Sequence, residues 1–309
     1  MSLPAPAATS TLVNAYGASH TREPPYTLAL ARHPTEPQIA AAASDHTVAL
    51  RRLDAATAHR QQHLVADDAV ACANGGPAHR SRINDLAYGP PYAPTLFSAG
   101  SDAAVRGWDA RTRASSAAAA LTFTTQSAGL GREEVWSVSA STGQLVAAGT
   151  QSAVLVWDVR SAARPLHRFE VHTEAVSAVR FQPGSPTTLL SGSVDGLLCA
   201  IDCTQADEDT AVTSIYNTEA PVTSLGFFGD APSAQVYVLS SVETLSVWNL
   251  QHSGACVARF DAIIRTPAND DGGGPAPEGV DYLVGCAYDE AAARLYLLAG
   301  EHSGTLHVL

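Results

Sequence analysis

Charge, cysteine and long apolar runs are all scarce in this sequence, and each scarcity removes a class of function. Charged residues make up 16% of the 309 residues and hydrophobic residues 46%, so the chain buries a substantial core and is not disordered. The few charges sum to a formal −12, which opposes unassisted binding to nucleic acid or to an anionic membrane. No basic run offsets this; Arg51-Arg52 is the nearest, and it reads as strand decoration. The five cysteines, Cys72, Cys199, Cys203, Cys256 and Cys286, show neither a CxxC nor a paired zinc spacing. A sparse, odd count fits free thiols in a reducing compartment. No apolar run approaches the ~20 residues needed to span a bilayer, and the opening MSLPAPAATS lacks the charged and apolar regions of a secretory signal. These absences predict a soluble protein of the cytoplasm, the nucleus or both, with no membrane or nucleic-acid partner.

Catalytic motifs are missing as well. The sequence holds no GxSxG, GxGxxG, HExxH or phosphate loop. The stretch GSVDG (192–196) has Val194 where a nucleophile would stand, and it reads as a turn. Among the eleven histidines, His59 and His63 lie four apart, a spacing that converges on a helix but not on the loop and strand expected there. With no third ligand placed, neither a metal site nor a cofactor is expected. Cys199 and Cys203 flank Ile201 at strand spacing and read as packed core thiols. Asp207-Glu208-Asp209 and the run NDDGGGPAPEG (269–279) lack the ligand spacing of a calcium loop and read as solvated insertions.

What the sequence does have is repetition. A short apolar run, a Ser/Gly/Asp turn, an alternating strand and an aromatic-acid pair recur as LFSAGSDAAVRGWD (96–109), LVAAGTQSAVLVWD (145–158) and LLSGSVDGLLCAID (189–202). A looser copy is VYVLSSVETLSVWN (236–249), and degenerate copies occupy 39–54 and 295–309. Another strand-like run precedes each: YTLALA, INDLAY, VWSVSA, AVSAVRF, PVTSLGF and YLVGCAY. With one further strand between units, such as PLHRFEV from Pro165, each unit of about 45 residues carries four short strands, the signature of a propeller blade. The period is 2 throughout, with almost no helical pattern. The expected fold is an all-β propeller of six recognisable blades. Residues 1–10 are expected as a flexible tail and 11–309 as a single domain.

These phrases resemble the WD-repeat family. The resemblance implies an internal network in the second blade formed by His79, Ser98, Asp102 and Trp108. The fourth blade keeps His172, Ser191 and Asp195 but has Ile201 in the tryptophan position, and the third and fifth keep Trp157 and Trp248 without a matching histidine. Buried hydroxyl, imidazole, carboxylate and indole groups each carry a desolvation cost of roughly 1–3 kcal/mol unless paired. Members of the family that share the phrases WDAR, WDVR and SGSVDGL continue into a seventh repeat, which is missing from this sequence. The expectation is a truncated, open ring. The alternative is a six-blade closure in which TLVNAYGASH (11–20) supplies the last outer strand and covers an exposed edge.

Such propellers imply a protein-interaction scaffold and not an enzyme. Two blades end in Trp-Asp-x-Arg: Trp108, Asp109 and Arg111, and Trp157, Asp158 and Arg160. Paired boxes of this kind are similar to those of substrate receptors of cullin-4 ubiquitin ligases, whose arginines meet the ligase adaptor. The planar arginine fork suits such an interface; the bland alternative is an arginine paired with a neighbouring acid. An assembly role in ribosome biogenesis or growth control is the other possibility within the scaffold class. A channel enzyme would need titratable groups converging near the axis, where the inner strands read as mostly apolar with Ser and Thr.

Overall fold

The computed structural model describes residues 8–11, 26–52, 78–90, 95–109, 119–229, 235–250, 254–261, 280–302 and 305–309. Among them the period-2 runs become 23 strands, and helix is confined to single turns at Thr125–Ala128 and Glu208–Ala211. The strand β1 (Ala8–Thr11) stands apart from the repeat that follows it. The first blade holds β2 (Thr27–Arg32), β3 (Gln38–Ala43) and β4 (Val48–Arg52). The second is β5 (Ile83–Tyr88), β6 (Thr95–Gly100), β7 (Ala104–Asp109) and β8 (Leu121–Thr124). The third is β9 (Val135–Ala140), β10 (Leu145–Thr150), β11 (Val154–Asp158) and β12 (His167–Phe169). The fourth is β13 (Ala178–Phe181), β14 (Thr188–Gly192), β15 (Leu197–Asp202) and β16 (Val212–Asn217). The fifth is β17 (Val222–Phe228), β18 (Gln235–Ser240), β19 (Leu245–Asn249) and β20 (Ala255–Phe260). The sixth contains β21 (Tyr282–Asp289), β22 (Arg294–Gly300) and β23 (Thr305–Val308).

Each blade is an antiparallel meander, and the architecture is the expected six-bladed propeller. Every recurring phrase spans the second and third strands of its blade, with the Ser/Gly/Asp turn between them. The sixth blade takes its outer strand from β1, paired with β23 from Ala8↔Val308 to Thr11↔Thr305. That strand lies mostly in the segment 1–10 expected as a tail and shares only Thr11 with the run 11–20 expected to supply it. Residues 12–25 fall outside the described residues.

Five hydrophobic clusters hold the blades together, and each draws on two successive blades. The strand period decides which way each side chain turns. In the third blade Leu145, Ala147, Val154 and Val156 pack toward the fourth blade, whereas Val146, Ala148, Leu155 and Trp157 pack toward the second. Both faces are therefore covered, and β10 is buried along its whole length. This is why the middle strands read as continuous apolar runs rather than as strict alternation. Each fully buried large side chain in these seams contributes roughly 1.5–3 kcal/mol relative to exposure. The inner strands β2, β5, β9, β13, β17 and β21 pack in succession from blade to blade.

Candidate functional site

A meander places the turn between its second and third strands at the end of the disc where its inner strand begins. That end is called the turn end here; the third strands finish at the opposite end. Trp108-Asp109 and Trp157-Asp158 close third strands, so both Trp-Asp boxes lie at the opposite end. Arg160 donates from Nε to Asp158 Oδ1 at 2.9 Å and from Nη2 to Asp158 Oδ2 at 2.6 Å. Its side chain is nevertheless 74% exposed. Arg111 lies outside the described residues, so the structure describes the arginine of one box alone.

The internal network of the second blade is a chain of donors and acceptors. Trp108 Nε1 donates to Ser98 Oγ at 2.9 Å, Ser98 Oγ lies 2.7 Å from His79 Nε2, and His79 Nδ1 lies 2.8 Å from Asp102 Oδ1. With the serine hydroxyl donating to Nε2 and Nδ1–H donating to the carboxylate, the ring is paired at both nitrogens, although Arg106 Nη1 also stands 2.5 Å from Nδ1. Burial pushes the His79 pKa below its ordinary value against the pull of Asp102, which keeps the ring neutral. Burial also works against the Asp102 carboxylate. Hydrogen bonds from His79 and the Arg80 backbone, with the Arg106 charge, outweigh it and hold the carboxyl well below its usual range. Arg106 Nη1 stands 2.8 Å from Asp102 Oδ2.

The other blades keep parts of this chain. In the fourth, His172 Nδ1 lies 3.2 Å from Asp195 Oδ2 and His172 Nε2 lies 2.9 Å from Ser191 Oγ; Ile201 in the tryptophan position leaves no indole to satisfy. In the fifth, Trp248 Nε1 donates to Ser246 Oγ at 2.9 Å, a serine on its own strand. In the third, Ala148 occupies the position of Ser98, two residues beyond the partner of the tryptophan. Trp157 Nε1 is buried there without an acceptor.

A charged cluster joins the inner strands. Arg180 Nη1 lies 3.1 Å from Asp85 Oδ2 and 3.0 Å from Ser137 Oγ, and it donates to Val179 O at 2.7 Å. Asp85 Oδ2 also accepts from Ser137 Oγ and from the Val138 backbone N–H, at 2.7 and 3.0 Å. Sequence reasoning missed it, because three blades each contribute a single polar residue to it. Its atoms are committed to one another, as in a structural tie.

The turn end carries exposed apolar side chains. Trp136 is 37% exposed, Val194 42% and Val242 60%. Val194 and Val242 sit in second-to-third-strand turns. Trp136 owes its exposure to a β-bulge: Val135 pairs with Thr150 and Ser137 with Gly149, so Trp136 is the unpaired extra residue. The same bulge sets out Leu28 on β2, Asn84 on β5, Thr223 on β17 and Val284 on β21. Bulges re-aim a side chain, and here an indole is turned out of a strand otherwise mostly buried. An aromatic residue second in the run VWSVSA, where the bulges of the other inner strands carry Leu28, Asn84, Thr223 and Val284, is the signal that sequence reading could have used.

Other candidates resolve into structure. Cys199, Ile201 and Cys203 share one core cluster, and burial pushes both thiols up to about 12. Cys72, His59, His63 and the run 269–279 lie outside the described residues. Glu208 is more than a solvated acid, since its Oε2 accepts the Glu170 backbone N–H at 2.6 Å and ties two blades together. Among the described residues no group of three His, Cys, Asp or Glu side chains is placed to hold a metal ion. No helix among them is long and apolar enough to cross a membrane.

Comparison with known proteins places the geometry. The chain is 33% identical over 231 residues to the WD repeat-containing protein 89 homolog of Dictyostelium discoideum, covering 74% of this chain and 59% of that one. It is 30% identical over 235 residues to the WD repeat-containing protein GTS1 of Arabidopsis thaliana, covering 74% of this chain and 56% of the relative. The chain thus spans less than two thirds of the length of either relative. A chain in the crystal structure of the mitotic checkpoint complex superimposes with a TM-score of 0.65 at 18% identity, covering 93% of this chain and 75% of that one. That likeness is one of fold. The model of the nucleolar protein 10-like N-terminal domain, a β-propeller, matches residues 14–231. By that match the chain belongs to the nucleolar protein 10-like β-propeller family of WD-repeat proteins.

Proposed function

We propose that the chain is a non-catalytic scaffold that holds partner proteins against the turn end of its disc. The observation that carries this reading is Trp136, an indole turned out by a bulge at the mouth of the inner strands and left 37% exposed. Aromatic anchors of this kind are enriched at the centres of protein interfaces, and the loops of a rigid repeat scaffold suit multi-partner assembly. Val194 and Val242 extend the apolar surface on the same end.

The opposite end supports a second contact. Arg160 is 74% exposed there; Asp158 takes its Nε–Nη2 edge and fixes the guanidinium, which leaves Nη1 for a partner. In this reading the paired Trp-Asp-x-Arg boxes engage a cullin-4 ligase adaptor while the turn end holds a substrate. The match to a nucleolar protein 10-like domain favours instead partners of the nucleolus, and so assembly work linked to ribosome biogenesis.

Quantitative co-purification from cells separates these readings. Loss of recovered partners with Trp136→Ala supports the turn end. Recovery of the cullin-4 adaptor that disappears with Arg111→Ala plus Arg160→Ala supports the ligase role. Recovery of nucleolar proteins without the adaptor supports the assembly role. The same partners in the same amounts from every variant contradicts the scaffold surfaces named here.

A further inference from the structure

All 18 basic residues of this chain are arginines; it contains no lysine. Three of them line one cavity of about 180 Å³ in the second blade at the turn end. Arg80 lies just before β5, Arg106 on β7, and Arg132 just before β9, so the three reach the cavity from separate segments. Thr122 and Thr124 of β8 add hydroxyls to its wall. At about 30 Å³ per water in the liquid, the space is enough for a tetrahedral anion and the start of the chain that bears it.

Among the described residues the charge lining this cavity is unbalanced. Its one carboxylate, Asp102, already accepts from the Arg80 backbone N–H at 3.0 Å and pairs with His79 and Arg106. The side chains of Arg80 and Arg132 have no ion pair among the described residues. The acids beside Arg132 in the chain are turned elsewhere: Glu133 accepts from Thr150 and Ser152, and Glu134 from Ser101. Two arginines whose side chains carry no ion pair among the described residues therefore line one polar cavity in a protein of formal charge −12.

We propose that this cavity binds a phosphoserine or phosphothreonine of a partner protein. A phosphomonoester carries about −1.5 to −2 charge at neutral pH and three strong acceptor oxygens. That charge matches Arg80 and Arg132, and the oxygens match two planar forks and the threonine hydroxyls. A carboxylate, with one charge, would leave one guanidinium unmatched. The proposal rests on the reading that partner proteins dock at the turn end, since the cavity opens beside it.

The test uses the whole purified chain and two immobilised degenerate peptide libraries. One library is centred on phosphoserine or phosphothreonine, and the other is its unphosphorylated counterpart. Preferential retention on the phosphorylated library is expected. It should weaken by about tenfold or more with Arg80→Gln or Arg132→Gln, as for loss of one charge-assisted contact. Both residues are exposed, so the variants keep the fold; Arg168→Gln, in the next blade, should leave retention unchanged. Equal retention of both libraries, or retention indifferent to Arg80→Gln and Arg132→Gln, overturns the proposal. So does binding of inorganic phosphate without the peptides, or of phosphoinositide vesicles in preference to them. Partner capture that still depends on Trp136 while phosphopeptide binding fails would remove this site and leave the scaffold reading standing.

Discussion

Arg180 and Asp85 stand 95 residues apart in the chain, yet their side chains meet at 3.1 Å and join the inner strands of the fourth and second blades. Ser137, on the blade between them, bonds to both. The cluster ties three successive blades together. Asp85→Ala removes the acceptor used by Arg180, Ser137 and the Val138 N–H at once. Breaking a fully buried pair costs about 3–5 kcal/mol; with Arg180 a third exposed, a loss of about 2 kcal/mol is expected, within the range for stranded polar groups. Urea unfolding should show a lower midpoint with an unchanged slope, and an unchanged midpoint would remove the tie.

Trp157 offers a change in the other direction. Its indole N–H is buried without an acceptor because Ala148 stands where the second blade has Ser98. Ala148→Ser places a hydroxyl in the register that Ser98 uses toward Trp108. A gain of about 1 kcal/mol is expected, read as a rise in the thermal midpoint. A fall would mean that the seam between the second and third blades has no room for one oxygen.

The turn after the network carboxylate Asp102 offers a backbone test within the second blade. Ala103 follows Asp102 with φ at 67°, the left-handed region, and in the fourth blade Gly196 follows Asp195 with φ at 81°. Only glycine adopts that conformation freely. Ala103→Gly should therefore stabilise the protein by about 0.5–1 kcal/mol after the entropic cost of glycine is set against the strain relieved. Chemical denaturation of the variant and the parent measures the difference.

The histidine networks give the protein a pH dependence with a definite sign. Burial lowers the pKa of His79 and of His172 below the ordinary value of 6.5. Below that value the unfolded chain takes up protons that the folded chain refuses, so the stability present above pH 6.5 is lost as pH falls toward the folded values. The carboxyls of Asp102 and Asp195 are also lowered, and their contribution disappears only below about pH 4, their ordinary range. Stability measured from pH 7 to pH 5 should fall, and His79→Gln with His172→Gln should flatten that fall. A parent protein equally stable at both pH values contradicts neutral, buried rings.

How far the sequence reveals these features depends on distance along the chain. The relation of His79 to Ser98, Asp102 and Trp108 is legible because all four lie within one meander, and a repeated spacing announces them. The six blades are legible for the same reason. Asp85 and Arg180 are not, because only the packing of successive blades brings them together. Arg80, Arg106 and Arg132 escape for a similar reason, each looking like isolated surface charge in its own segment. Trp136 escapes because a bulge, and not the strand period, decides where it points. The middle strands departed from simple alternation because neighbouring blades cover both of their faces.

The most direct measurement is hydrogen–deuterium exchange on the chain alone and in complex with a co-purified partner. Slowed exchange is expected in peptides covering 131–137, 192–196 and 240–244, the segments that bring Trp136, Val194 and Val242 to the turn end. Protection confined to the outer strands β12, β16 and β20, with those three segments unchanged, would contradict partner docking at that end.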